Sequence, residues 1–144
     1  MQKQSGFSLI ELVVVVAIVA LLASLALPAY RDYVLRATLQ EAFSSLAGLR
    51  AKVEQFYQDK RTYVGACQNG TVAPLPTGTQ YFTYSCPTLS ATAYTLQADG
   101  IAAQGTGGFT YTIDQNYNKA TVNTGASWTG AGNTCWVQRR SGAC

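Results

Sequence analysis

Apolar residues follow three regimes along this chain. From Phe7 to Leu27 (FSLIELVVVVAIVALLASLAL) every position is apolar except Ser8, Glu11 and Ser24. A run of roughly 20 such residues can span the ~30 Å hydrocarbon core of a bilayer as a helix, because a helix pairs its backbone groups internally. From Leu35 the apolarity narrows to one face. Leu35, Leu39, Ala42, Leu46, Leu49, Val53 and Phe56 recur in steps of four and three, which is a single helical stripe. Pro28, between the two regimes, lacks a backbone donor and predicts a kink. The pattern predicts one helix from Phe7 to about Lys60, roughly 80 Å long at 1.5 Å per residue. Its first half is apolar all round and is expected to protrude. Its second half is expected to pack on a sheet. A coiled-coil seam competes, but it needs three or four sustained heptads with charged flanks.

After Arg61-Thr62-Tyr63 the period changes to two. Val64 to Gly78 is loop-like, with Gly65, Gly70, Pro74, Pro76 and Gly78,. Strands are predicted at Tyr81–Ser85, Tyr94–Ala98, Phe109–Ile113 and Ala120–Asn123, the last two joined by an Asn-rich turn over Asp114–Lys119,. Such runs form an antiparallel meander with one face buried on the helix. Thr124–Asn133 is a Gly/Ser/Thr loop around Trp128. The fold class expected is α+β: a long N-terminal helix on a four-stranded antiparallel sheet.

Composition narrows the chemistry. The 144 residues suit one domain with an appended helix,. The net charge is +3, and +2 without Lys3, too small to argue by itself for a nucleic-acid partner. Histidine is absent, which removes the usual general base and the commonest metal ligand. No nucleophile elbow or phosphate loop is present. Gly105-Thr106-Gly107-Gly108 lacks the strand-then-helix context of a nucleotide loop and reads as a flexible turn. No enzyme, cofactor or metal is expected. The four cysteines, Cys67, Cys86, Cys135 and Cys144, contain no C-x-x-C pair and read as disulfides in a chain with an export-type N-terminus. Of three possible connectivities, Cys67–Cys86 with Cys135–Cys144 is favoured, each pair closing a local loop worth roughly 3 kcal/mol in the chain-entropy account.

The order Gly6-Phe7-Ser8-Leu9-Ile10-Glu11 resembles the signature of type IV prepilins and the related pseudopilins. Pro28 and Tyr30 also sit where many pilins carry a helix-kinking proline and an aromatic residue. The resemblance implies a leader at 1–6, cleavage between Gly6 and Phe7 by a membrane prepilin peptidase, and N-methylation of Phe7. It also implies a membrane and fibre-core half-helix over 7–30 and a globular domain over 31–144. The Cys-bounded C-terminal segment resembles the disulfide-bounded loop that pilins expose on the fibre. A carboxylate in lipid costs about 2.5–3.5 kcal/mol on insertion scales, so Glu11 calls for a partner. The family supplies one, the N-terminal amine of Phe7 in a neighbouring subunit. An ordinary signal peptide cut near Ser24-Leu25-Ala26 competes, but its apolar core runs 7–15 residues and rarely holds a glutamate. A plain anchor leaves the Gly-Phe junction unexplained.

The function implied is a structural subunit of a type IV pilus, a fimbrium serving adhesion, twitching motility or DNA uptake. It would enter the inner membrane as a precursor, then join copies of itself or other pilins in an extracellular fibre through inner-membrane assembly machinery. One alternative is a minor pilin binding DNA or surfaces. Arg139 and Arg140, with Trp136, could form a basic and aromatic surface for nucleic acid, but the low net charge favours two solvated arginines. Another alternative is a secretion-system pseudopilin with a calcium site. Against it, only Asp99 and Asp114 follow Arg61, whereas calcium takes six to eight oxygens.

Overall fold

The computed structural model describes residues 8–144. The leader expected over 1–6 and the processing residues Gly6 and Phe7 lie outside the described residues. One helix, α1, runs over Leu9–Lys60 and continues through Pro28. The chain divides into two compact units, Met1–Val34 and Leu35–Cys144.

In the first unit the apolar side chains of α1 face outward all round, with Leu9 81% and Leu25 78% exposed. Its most apolar window has a mean hydropathy of 2.9, and none of that window is buried. By length and composition α1 can cross a membrane.

In the second unit the predicted stripe is the buried one. Leu39, Ala42, Leu46, Leu49, Val53 and Phe56 are all buried, and Leu35 packs at the cluster's edge. Phe43 joins them, widening the stripe beyond the strict four-and-three rhythm. They cover an antiparallel sheet in the order β1-β2-β3-β4. Its strands are β1 (Phe82–Leu89), β2 (Tyr94–Gly100), β3 (Thr110–Asp114) and β4 (Lys119–Asn123). The sheet's buried face carries Phe82, Tyr84, Tyr94, Leu96, Ala98, Tyr111, Ile113 and Thr121, the period-2 alternation of a one-sided sheet.

The first strand differs most from expectation. The pattern predicts it at Tyr81–Ser85, whereas it runs over Phe82–Leu89. Pro87 lies where the pairing with β2 becomes irregular, between Ser85 and Thr88. An edge strand tolerates that proline because one side of its backbone needs no ladder partner. Alternation alone reads Cys86-Pro87 as a break. Strand β2 also runs two residues past Ala98, to Gly100.

Two polar clasps hold the segment at the start of β1. The Glu41 carboxylate accepts the backbone N–H groups of Gln80, Tyr81 and Phe82 at 3.2, 3.0 and 3.2 Å. It thereby fixes the start of β1 on the helix. The hydroxyl of fully buried Thr106 donates to the Tyr81 carbonyl at 2.6 Å and accepts the Ile101 N–H at 3.1 Å. The glycine-rich segment is therefore a pinned turn. A Cβ at Gly100 would run into the Thr106 carbonyl.

Two substitutions should separate these environments. Gly100→Ala should destabilise the domain by roughly 1–3 kcal/mol through overpacking. Gly48→Ala, in the helix with nothing within 4 Å of the added methyl, should stabilise it by about 0.5–1 kcal/mol. Urea midpoints of the detergent-solubilised chain, with unchanged slopes, would measure both.

Candidate functional sites

At the N-terminal end of α1, Ser8 caps the helix beside Glu11. The Glu11 N–H donates to the Ser8 Oγ at 3.3 Å, and the Leu12 N–H to the Ser8 carbonyl at 3.2 Å. Ser8 is the helix cap and Glu11 stands three residues on, the spacing of a capping box. A carboxylate in the first turn also suits the positive end of the helix dipole. The amine expected to pair with it, on Phe7, is outside the described residues.

The two disulfides join Cys67 to Cys86 and Cys135 to Cys144, with Cα separations of 6.6 and 6.0 Å. The first ties the loop after α1 to the outer strand. The second closes a C-terminal loop that is anchored on β3 and β4. The hydroxyl of fully buried Thr121 donates to the Cys135 carbonyl at 2.6 Å and accepts the Val137 N–H at 2.9 Å. The Tyr111 hydroxyl donates to the Val137 carbonyl at 3.0 Å. The Arg140 carbonyl accepts from both the N–H and the hydroxyl of Thr129. Arg139 and Arg140 are exposed on this loop.

Trp136 does not join them as a surface platform. It is 7% exposed, stacks on Phe43 with centroids 5.2 Å apart, and donates its indole N–H to the Thr112 carbonyl at 2.8 Å. The cation over its ring is Lys119, at 4.5 Å. Lys119 also lies 4.8 Å from the Tyr117 ring, as does the Arg50 guanidinium carbon. Reasoning from sequence missed this group. Its members are 67 and 17 positions apart along the chain, and Tyr117 and Lys119 lie in a segment read only as a turn. Among the described residues no cluster of histidine, cysteine, aspartate or glutamate could hold a metal ion.

A helical stripe on a four-stranded antiparallel meander, with an apolar N-terminal helix segment and a disulfide-closed C-terminal loop, defines a pilin-type protein. The chain belongs to the family described as type IV minor pilin ComP, DNA uptake sequence receptor, which it matches over residues 28–108. Residues 1–27 match the prokaryotic N-terminal methylation motif. The fimbrial protein EcpC of Eikenella corrodens is 44% identical over 59 residues, 41% of this chain and 39% of that protein. The type IV major fimbrial protein FimA of Dichelobacter nodosus is 42% identical over 71 residues, 49% of this chain and 41% of FimA. The matches thus span about two fifths of those relatives' lengths. In fold, the chain is similar to the Neisseria meningitidis non-core minor pilin PilV, with a TM-score of 0.57 and 23% identity over 69% of this chain and 98% of that one.

Glu54 organises the far end of the helix. Its carboxylate accepts the Tyr94 hydroxyl at 2.7 Å and the Tyr63 hydroxyl at 3.2 Å. Burial first, then Glu54, pushes both tyrosines above their ordinary range. Burial alone raises Tyr111, and burial is the main cause for Tyr84. In each case the fold prefers the neutral hydroxyl. This contribution to stability is complete below the unfolded value of about 10 and is lost as pH rises through it toward the folded values. Urea midpoints should therefore stay flat from neutral pH to about 9 and fall above about 10. Tyr94→Phe should weaken that fall.

Proposed function

We propose that this chain is a minor subunit of a type IV pilus and a receptor at which that fibre takes up DNA. The observation that carries this reading is the match of more than half the chain to the family of DNA uptake sequence receptors. The fold likeness to another minor pilin supports the fibre setting. That family assignment outweighs the low net charge, which taken alone favoured two solvated arginines. Exposed Arg139 and Arg140 then serve as phosphate contacts. Phosphate contacts supply affinity through counterion release and need no high overall charge if they cluster.

The assembly route follows the processing motif. The precursor sits in the inner membrane through its apolar helix. The peptidase cuts at Gly6–Phe7, and the new N-terminus is methylated. The apolar half-helix then leaves lipid for a bundle with other pilins. Because it passes from one apolar medium to another, little net hydrophobic energy is gained. Charge pairing must select the register: the Phe7 ammonium of one subunit against Glu11 of the next. Either charge left alone in that medium costs several kcal/mol.

A strain lacking the chain should still make fibres and should lose DNA uptake. Loss of the fibres themselves would make the chain a main structural subunit. Glu11→Gln tests assembly cleanly, because glutamine also serves in a capping box and only the charge is removed. Mass spectrometry should find the variant cut and methylated at Phe7, retained in the inner membrane and absent from fibres. Normal incorporation would remove the charge-pairing account. A chain starting at Leu27 would remove the processing account.

A further inference from the structure

We propose that the turn between β3 and β4 is a second contact for duplex DNA, with Lys119 and Arg50 meeting phosphates and Tyr117 lying against the sugar–phosphate backbone. This inference rests on the receptor reading above. The turn lies past the residues that match the DNA receptor family.

The cations come first. The Lys119 ammonium is held between two aromatic faces, 4.8 Å from Tyr117 and 4.5 Å from Trp136. It forms no ion pair among the described residues. Rings fix the position of an ammonium without neutralising it, so its charge remains available to an anion. The Arg50 guanidinium lies over the same Tyr117 ring, and its buried Nε has no hydrogen-bond partner. Its nearest carboxylate, Glu54, stands at 4.0 Å and is already shared by two tyrosine hydroxyls.

The second observation is the backbone. Tyr117 holds φ at +66° and leaves its side chain 56% exposed. Asparagine takes this left-handed conformation more readily than a bulky side chain does, and Asn116 and Asn118 flank the site. The strained position nevertheless carries the aromatic residue. Asp114 makes the turn rigid. Its Oδ1 accepts the N–H groups of Asn116 and Asn118 at 2.9 Å each, and its Oδ2 accepts the Asn118 Nδ2 at 2.9 Å. Those three donors also offset the repulsion its charge would exert on a phosphate. Strain held in place by surrounding structure points to use.

The third is continuity. A cavity of about 380 Å³ lies elsewhere, between the helix and the Pro74–Thr77 loop. One of about 360 Å³ adjoins this turn, lined by Tyr117, Asn118, Lys119, Ala120, Thr134 and Cys135. Cys135 opens the loop that bears Arg139 and Arg140, so the turn and that loop share one surface. Tyrosine and lysine are both ordinary phosphate-contacting residues.

The test is binding of the full detergent-solubilised chain to a short DNA duplex, by fluorescence anisotropy across a salt series. Lys119→Gln should weaken binding about fivefold or more and lower the salt slope by about 1. Tyr117→Asn should also weaken binding several-fold while leaving the thermal midpoint unchanged or raising it, since the strain is relieved. Loss of affinity with retained stability is the expected signature. If Arg139→Ala with Arg140→Ala weakens binding while Lys119→Gln and Tyr117→Asn bind as the parent does, the receptor reading stands and this contact is overturned. A parent chain that binds no duplex overturns both. Should Tyr117→Asn lower stability as well, the salt slope of Lys119→Gln decides.

Discussion

The burial of one helical stripe against an aromatic sheet face is the interaction on which the globular unit depends. Phe43 meets Tyr111 edge-on at 4.9 Å, and Tyr111 neighbours Phe82 and Phe109 at 6.1 and 6.2 Å. Phe109 in turn meets Trp128 edge-on at 5.2 Å. The helix, strands β1 and β3, the residue that leads into β3 and the loop around Trp128 thus share one aromatic cluster. Burial of such rings supplies the largest apolar areas available to a small domain, and edge contacts add about 0.5–1.5 kcal/mol each. The C-terminal loop is attached to this cluster. Trp136 stacks on Phe43 and so carries the C-terminal loop, and the Thr121 hydroxyl closes the backbone of that loop onto β4.

The helix and the sheet were legible because their periods are long and clean. Seven stripe positions from Leu35 to Phe56 keep the four-and-three rhythm, and Tyr94, Leu96 and Ala98 keep the period of two. The end of β1 was not legible. Cys86 and Pro87 interrupt alternation, and their place in a strand depends on β1 being at the edge of the sheet, which is a tertiary fact. Phe43 was missed for a related reason. It widens the stripe toward Trp136, a residue 93 positions away that no window on the helix contains.

The candidate sites divide in the same way. Glu11, Gly6 and Phe7 stand out because a charge in an apolar run and a Gly-Phe junction are local anomalies. Arg139 and Arg140 are visible as a basic pair. The pairing of an aromatic residue with cations was read along the chain, placing Trp136 with those arginines. In space, the indole faces Phe43 and takes Lys119. The partner of a side chain on a sheet is set by strand pairing, and the register of Ile113 with Lys119 places Lys119 at the mouth of the turn that holds Tyr117.

The distribution of charge follows from how the fold satisfies its own donors. The globular unit contains five carboxylates, Glu41, Glu54, Asp59, Asp99 and Asp114. Four of them accept hydrogen bonds from the structure itself. Glu41 takes three backbone N–H groups, Glu54 two tyrosine hydroxyls, Asp99 the Gln97 amide and the Thr110 hydroxyl, and Asp114 the turn. A carboxylate is an acceptor only, so it suits the unpaired N–H and O–H groups that a helix, a sheet edge and a tight turn leave behind. Cations cannot accept, and carbonyls in this fold are mostly taken by backbone donors. Of the basic side chains, Lys119 lies over the rings of Tyr117 and Trp136, and Arg50 lies over Tyr117 and 4.0 Å from Glu54. With its anions shared among internal donors, a chain of modest net charge leaves Arg139 exposed on the C-terminal loop, and an exposed cation adds to the field at that surface.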